Sequence, residues 1–220
     1  MELAPQDALP VALAAWCHAQ RGSHHLVGQP VVEKQVGREL AVLGARLVSC
    51  DPVAESLLGA ARTLAGDFAE AGHHIDRALA LDGGCAWAWN RRGMLSIYEG
   101  LFGDATECFQ FARSLDPDHP LNFMCSIGIG SALFEVARYL EAAHWFTRAL
   151  AEHPAAVWIN RFRAPAFWFA GKKEEARQSF AEFTRAYGDL SIAEVRSALP
   201  YTQSHWDRLC EGLANLGMTR

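Results

Sequence analysis

The chain has 220 residues, half of them hydrophobic and a fifth charged, with 20 Lys and Arg against 25 Asp and Glu for a net charge of −5. This is the length and composition of one or two domains with a packed core, and it excludes collagen-like, coiled-coil and disordered chains. The acidic balance also argues against direct nucleic-acid binding, because the densest basic runs, Asn90-Arg91-Arg92 and Lys172-Lys173, are short and set among apolar or acidic residues.

At the N-terminal end, residues 8–20 and 31–50 read as two helices joined by a loop that holds Gly22-Ser23, Gly28 and Pro30, with His24-His25 solvated in it. Residues 9–17 are apolar and end in a cysteine, as a lipoprotein signal does. No Lys or Arg precedes them, however, Glu2 and Asp7 stand where positive charge belongs, and Trp16 fills a position that must be small. The longest uncharged stretch, 120–134, falls short of the roughly 20 residues a spanning helix needs. No export signal, no membrane contact and a cytoplasmic location are therefore expected. The six cysteines, Cys17, Cys50, Cys85, Cys108, Cys125 and Cys210, form no CxxC pair and read as reduced, mostly packed thiols.

From residue 52 onward the chain repeats itself. Gly66-Asp67-Phe68-Ala69-Glu70-Ala71, followed by Ile75 and Ala78-Leu79-Ala80-Leu81-Asp82, returns as Gly103-Asp104-Ala105, Phe109, Ala112 and Leu115-Asp116-Pro117. It returns again as Arg138-Tyr139-Leu140-Glu141-Ala142, Phe146, Ala149-Leu150 and Pro154, then as Gly171-Lys172-Lys173-Glu174-Glu175-Ala176 and Phe180. Ala71 to Ala105 is 34 residues, Ala105 to Ala142 is 37, and Ala142 to Ala176 is 34. Gly or Ala at a helix crossing lets two helices approach to the short end of the about 8–10 Å range, and the aromatic fills the neighbouring hole.

These residues resemble the tetratricopeptide repeat family, whose unit is two antiparallel helices with small residues at fixed points. Leu58-Gly59, Ala71 and Ala78 fall at the matching sites of a first unit, and Trp89, Gly93, Ala105, Phe109, Ala112 and Pro117 at those of a second. Gly130, Ala142, Phe146, Ala149 and Pro154 do so in a third, and Ala164, Ala176 and Phe180 in a fourth. The resemblance implies an all-α fold, a right-handed α-solenoid of antiparallel helix pairs. A degenerate leading pair would cover 1–51, four units 52–85, 86–119, 120–156 and 157–190, and C-terminal capping helices 191–220.

Four departures from the pattern carry expectations. Three extra residues in the third unit imply a first helix one turn longer or a bend before it. Pro165 predicts a kink in the first helix of the fourth unit. Gly83-Gly84 replaces the closing proline of the first unit, and Phe183, where a small residue belongs, suits a last helix with no successor packed on it. In the tail, Ser191-Ile192-Ala193-Glu194 is a capping box, Thr202 or Ser204 caps a final helix, and Leu199, Leu209 and Leu213 should face inward. The order of pieces is similar to the C-terminal repeat region of bacterial class III adenylate cyclase-like proteins and winged-helix transcriptional regulators, which implies a regulatory part. No cyclase or DNA-binding domain is read in these residues.

Candidate chemistry is sparse. Of His73-His74 and Asp76 only His73 and Asp76 share a helix face, too few for a metal. Gly128-Ile129-Gly130-Ser131 lies in a repeat helix with no strand before it and no lysine after it, so packing glycines explain it better than a phosphate loop. Cys17-His18 and Ser204-His205-Trp206-Asp207 hold catalytic residue types, but sequence neighbours are not a triad in space. No catalytic residue, metal or cofactor is expected.

What remains is the inner wall of the solenoid, lined by the first helix of each unit. Its register gives Trp87, Asn90, Arg91, Met94 and Tyr98 in the second unit, Ile127, Ser131 and Phe134 in the third, and Trp158, Arg161, Phe162, Trp168 and Phe169 in the fourth. The first unit offers only Val53, Ser56, Ala60 and Thr63. Trp89 is assigned to the core, and packing of Phe162 or Trp168 on the C-terminal helices is the alternative to a ligand-facing place for them. Aromatic and Arg side chains dominate binding hot spots, and the repeated Asn90-Arg91 and Asn160-Arg161 pairs suit a carboxylate, hence an acidic or C-terminal peptide. The alternative for these arginines is ion pairing with Glu55, Asp104 or Asp116. Three readings stand: a groove for a peptide or protein partner, a self-association domain forming a homo-oligomer, or a small-ligand sensor with an aromatic pocket near Trp158 to Phe169.

Overall fold

The computed structural model describes residues 7–25, 29–47, 50–188 and 190–219. Among them the regular elements are twelve α-helices and one 3-10 turn: α1 (Ala8–Ser23), α2 (Pro30–Ala45), α3 (Pro52–Ala65), α4 (Phe68–Leu81), α5 (Ala86–Glu99) and α6 (Phe102–Leu115). Then follow α7 (Asn122–Glu135), α8 (Tyr139–Glu152), the 3-10 turn Val157–Ile159, α9 (Asn160–Phe169), α10 (Lys173–Tyr187), α11 (Ile192–Ser197) and α12 (Gln203–Asn215). The described chain is all-α, built of helix pairs joined by tight turns, as the repeat implies. It forms two compact units that divide between Leu95 and Ser96, inside α5.

In the first unit α1 packs on α2 and α3, and α3 packs on α4. Helix ends follow local chemistry: the Asp7 carboxylate accepts the Leu9 N–H, the Asp51 carboxylate accepts the Val53 N–H, and proline opens both α2 and α3, where its missing N–H has no partner to lose. Ala15, Ala19, Ala41 and Ala61 make one small-residue core, and Ala71, Ile75 and Leu95 another. Glu55 is buried in α3 with its Oε2 2.8 Å from His74 Nδ1 and its Oε1 3.4 Å from Arg77 Nε. The expectation of solvated histidines fails at His24. Helix α1 runs on through Gly22-Ser23, so His24 becomes its C-cap, donating its N–H to the Gln20 carbonyl, and is buried.

In the second unit α7 packs between α6 and α8, α9 follows on α8, and α10 packs on α9. Every residue of α7 except Glu135 is buried. Two of its glycines point in nearly opposite directions around the helix and each seats a ring. A Cβ on Gly128 would lie 2.1 Å from Phe109 Cζ, and one on Gly130 would lie 2.8 Å from Phe146 Cε1. These are the packing glycines expected of Gly128-Ile129-Gly130-Ser131. Arg113 ties three helices together, donating to the Asn122 carbonyl at 3.1 Å, to Ser126 Oγ at 3.0 Å and to Glu152 at 2.9 Å.

The extra residues of the third unit do not lengthen its first helix, since α7 has 14 residues like α5. They enter the turns on either side of α7. The turn before it is longer than the one before α5, and the turn after it holds Ala137 at φ 59°. Pro165 lies inside α9, five residues after its start and behind the 3-10 turn. The tail behaves as its caps predict: Ser191 and Glu194 complete a capping box on α11, and Thr202 caps α12 by accepting the His205 N–H. Leu199, Leu209 and Leu213 are buried, and α12 packs on α9, where Gly212 lets Pro165 and Phe169 approach. Phe183 is buried and stacks on Tyr187 at 5.1 Å between ring centroids. All six cysteines are free, with Cys108 and Cys125 buried and Cys17 and Cys50 exposed.

Candidate partner-binding surface

Most of the aromatic and arginine residues of the inner wall fall in two groups, one per compact unit. In the first unit, Trp87 at the start of α5 meets Trp16 of α1 edge to face, 5.4 Å between centroids, and carries the Arg91 guanidinium 3.8 Å above its ring. Positions 87 and 91 are one helical turn apart, which is what lets the guanidinium fold back over the indole. Arg91 also donates to the Asn90 side chain. Trp87 is 8% exposed; Asn90 and Arg91 are buried, and Met94 is half-buried. Trp89, assigned to the core by the register, is the less buried of the two tryptophans and donates its indole N–H to the Gly83 carbonyl at 2.9 Å. Residues two apart point about 200° apart around a helix, so burying Trp87 against Trp16 turns Trp89 away.

In the second unit the structure brings Tyr98, Ser131, Phe134, Trp158, Arg161 and Phe162 together. Arg161 is 1% exposed, with its guanidinium 4.8 Å from the Phe162 ring and 5.6 Å from the Trp158 ring. Burial pushes it down to about 10, against the opposing pull of Tyr201, Tyr98 and Tyr187. Phe162 is stacked on Phe146 at 5.9 Å, which links the wall to the repeat core. Trp168 stands apart, half-buried, with Lys173 Nζ 3.2 Å from its ring centroid. Of the acidic residues considered as pairing partners for the arginines, Glu55 is held by His74 and Arg77.

The chain's own tail lies on this wall, and it meets Phe162, one of the two residues that the sequence allowed to pack on the C-terminal helices. Tyr201 packs against Tyr98 at 4.9 Å and Phe162 at 6.1 Å, and its neighbour in space His205 reaches Phe134 at 5.8 Å. Tyr201 and His205 stack at 3.8 Å, and Trp206 meets Tyr201 edge to face at 5.6 Å. The carboxylate of Glu135, the last residue of α7, is bound by His205 Nδ1 and by Arg208, which also donates to the Glu135 carbonyl at 2.7 Å. Burial raises the Tyr201 hydroxyl, with Ser131, Arg161 and Tyr98 pulling it the other way, and burial lowers His205 against the opposing pull of Glu135. The residue types Ser204-His205-Trp206-Asp207 thus serve packing and pinning.

An open cleft of about 440 Å³ also lies in this unit, where Asn160, Arg163, Glu182 and Arg185 edge an apolar floor of Leu150, Pro154 and Val157. Among the described residues no group of three or more His, Cys, Asp or Glu is arranged to hold a metal, and no helix is long and apolar enough to cross a membrane.

Paired helices closed by small residues, with a tail returning over the first helices of the pairs, define an all-helical repeat fold. No protein-family model matches the chain and no curated protein matches its sequence. Solved structures match its fold. PilW, a widely conserved type IV pilus biogenesis factor, is 15% identical over 94% of this chain and 95% of its own, with a TM-score of 0.63. TTC0263, a thermophilic TPR protein of Thermus thermophilus, is 15% identical over 90% of this chain and 99% of its own, also at 0.63. YrrB, a TPR protein with an unusual peptide-binding site, is 17% identical over 76% of this chain and 85% of its own, at 0.51. At these identities the likeness is one of fold.

Proposed function

We propose that the chain is a non-catalytic protein-protein interaction module that takes a peptide or protein partner, acidic or ending in a free carboxylate, on the first helices of its repeats. In this reading it is cytoplasmic and serves as the regulatory part of a signalling or transcription regulator. The observation that carries it is that a tryptophan followed by an Asn-Arg pair occurs in both units, one position apart in register, with the guanidinium 3.8 Å from the indole in one and 5.6 Å in the other. A guanidinium fixed on a ring keeps its edge donors in a fork that matches a carboxylate, and Trp and Arg are the residues that dominate interface energetics. YrrB, which shares the fold, has a peptide-binding site, and that adds support.

Affinity capture tests the reading with wild type and an Arg91→Met, Arg161→Met variant, which keeps side-chain volume and ring contact while removing both charges. A partner held by wild type should be lost at least tenfold from the variant, with helicity unchanged by circular dichroism. Equal capture by both would remove the constellation from the partner site. Self-association is a second reading, favoured by the exposed Leu13, Val31, Val32, Val42 and Leu43 on α1 and α2. It predicts a molar mass that rises with concentration in light scattering and falls back to one chain in a Val32→Glu, Leu43→Glu variant.

A further inference from the structure

The tail of the second unit has the form of a bound ligand. Tyr201 stands one residue ahead of the Thr202 cap, and His205 and Arg208 follow it four and seven positions on. His205 and Arg208 are three apart on one face of α12, and Tyr201, in the turn just ahead of the cap, stacks on His205, so the three present one surface, as the anchors of a helix laid into a groove do. Their contacts fall on wall positions that the repeat register marks for partners: Tyr201 on Tyr98 and Phe162, His205 on Phe134, and both His205 and Arg208 on the neighbouring Glu135.

The fit is also incomplete. Among the described residues His205 Nε2 is buried with no hydrogen-bond partner, an arrangement that costs free energy wherever it persists. Of the connecting helix α11 only Val195 is buried, while Glu194, Arg196 and Ser197 face solvent. Beside the wall contact, Trp206, Leu209 and Leu213 are buried and α12 packs on α9, so the tail is seated both by the wall and by the last helix pair, and a competitor for the wall has to displace only the Tyr201, His205 and Arg208 contacts.

We propose that the inner wall of the second unit is a helix-recognition surface, that the chain's own residues 199–216 occupy it in cis, and that a partner helix of the same chemistry displaces them. That chemistry is an aromatic residue followed four and seven positions later by residues that donate to Glu135. The proposal rests on the partner-binding reading above and names the ligand class for one of its two walls. The tail then sets the threshold for binding, because a partner must bind the wall more tightly than a segment already tethered beside it.

The probe is a fluorescein-labelled synthetic peptide of residues 198–219, titrated by anisotropy into the full chain. The titration compares wild type, a Tyr201→Ala, Arg208→Ala chain whose tail is weakened and whose wall is intact, and the same chain with Glu135→Gln added. The tail variant should bind the peptide at least tenfold more tightly than wild type, a scrambled peptide should not bind, and Glu135→Gln should reverse the gain at least tenfold. Equal affinity for wild type and tail variant, or binding to neither, overturns the proposal and makes the tail a fixed part of the fold. Should the double variant lose helicity, Arg208→Ala alone is read by hydrogen exchange. Amides of α12 must then exchange at least tenfold faster with those of α7 unchanged, and a uniform change across both also overturns it. The capture experiment uses no tail peptide, so a retained partner with a failed titration would discard the tail's role and leave the partner site standing.

Discussion

A methyl group added at Gly128 has nowhere to go. Its carbon would lie 2.1 Å from Phe109 Cζ and 2.2 Å from Cε2, where ordinary contact starts at 3.4 Å. The ring would have to retreat by about 1.3 Å, or α6 and α7 would have to separate by as much, and Phe109 is wholly buried. Overpacking of this kind costs about 1–3 kcal/mol, and the better helix propensity of Ala offsets up to about 1 kcal/mol of it. Gly128→Ala should therefore destabilise the protein by roughly 1–2 kcal/mol, a fall of about 2–8 °C in Tm for a chain of this size. Gly103 is the control: it also lies in a helix, but a Cβ there meets nothing within 4 Å, so Gly103→Ala should stabilise by about 0.4–1 kcal/mol. Differential scanning calorimetry on both variants reads the sign directly. Adding Phe109→Leu to Gly128→Ala should recover part of the loss, since the two side chains contend for one space and their effects are not additive. If Gly128→Ala is as stable as Gly103→Ala, the ring is not seated on the glycine and the account of why α6 and α7 pack so closely is wrong.

The buried His205 should make stability fall with acid. Burial lowers its folded-state affinity for a proton, with Glu135 opposing and Arg208 reinforcing the effect, so the unfolded chain holds the extra proton in the window just below its ordinary value of about 6.5. In that window stability rises with pH. His205→Asn, which keeps a donor for Glu135, should flatten the rise seen in urea titrations just below about pH 6.5, and equal slopes for the two proteins would refute the assignment. For Arg161, deep among Trp158, Phe162 and the tyrosines, Arg161→Met should change stability by less than about 1.5 kcal/mol and Arg161→Ala should cost about 3 kcal/mol or more through the cavity it leaves. Chemical denaturation distinguishes the two, and equal losses would mean that the charge rather than the volume holds the site together.

Small residues at helix crossings were legible in the sequence because their spacing carries the packing itself. Ala71, Ala105, Ala142 and Ala176 are each 0% exposed, and Phe109 and Phe146 fill the holes beside them. Helix ends were legible where a cap decides them, as at Ser191 and Thr202. The three extra residues of the third unit were visible as a count but not as a place, because a turn has no period to betray which side of a helix it lengthens. Register put Trp87 on the wall and Trp89 in the core, and the structure buries Trp87 the more deeply. Both fit a helix, they lie on different faces, and the choice between them is made by Trp16, a residue some 70 positions away whose approach no local pattern encodes.

The inner wall shows the same limit more sharply. Register assigns Tyr98, Ser131, Phe134, Arg161 and Phe162 to the face that a repeat leaves open, and a wall rich in aromatic and arginine side chains then reads as a surface waiting for a partner. The same composition is what a wall needs if the chain itself returns over it, because large apolar area left in water costs about 25 cal/mol per Å² whoever covers it. Only the tail could have told the two cases apart. The tail reading found Leu199, Leu209 and Leu213, one stripe of α12 and its approach, and passed over Tyr201, His205 and Arg208, the second stripe. A terminal helix that merely closes the last pair needs one apolar face; a helix with apolar residues on one face and an aromatic-then-cationic series on the next has two surfaces to satisfy. That second stripe, opposite the carboxylate of Glu135, is the feature by which a tail lying on a wall differs from a tail capping an end.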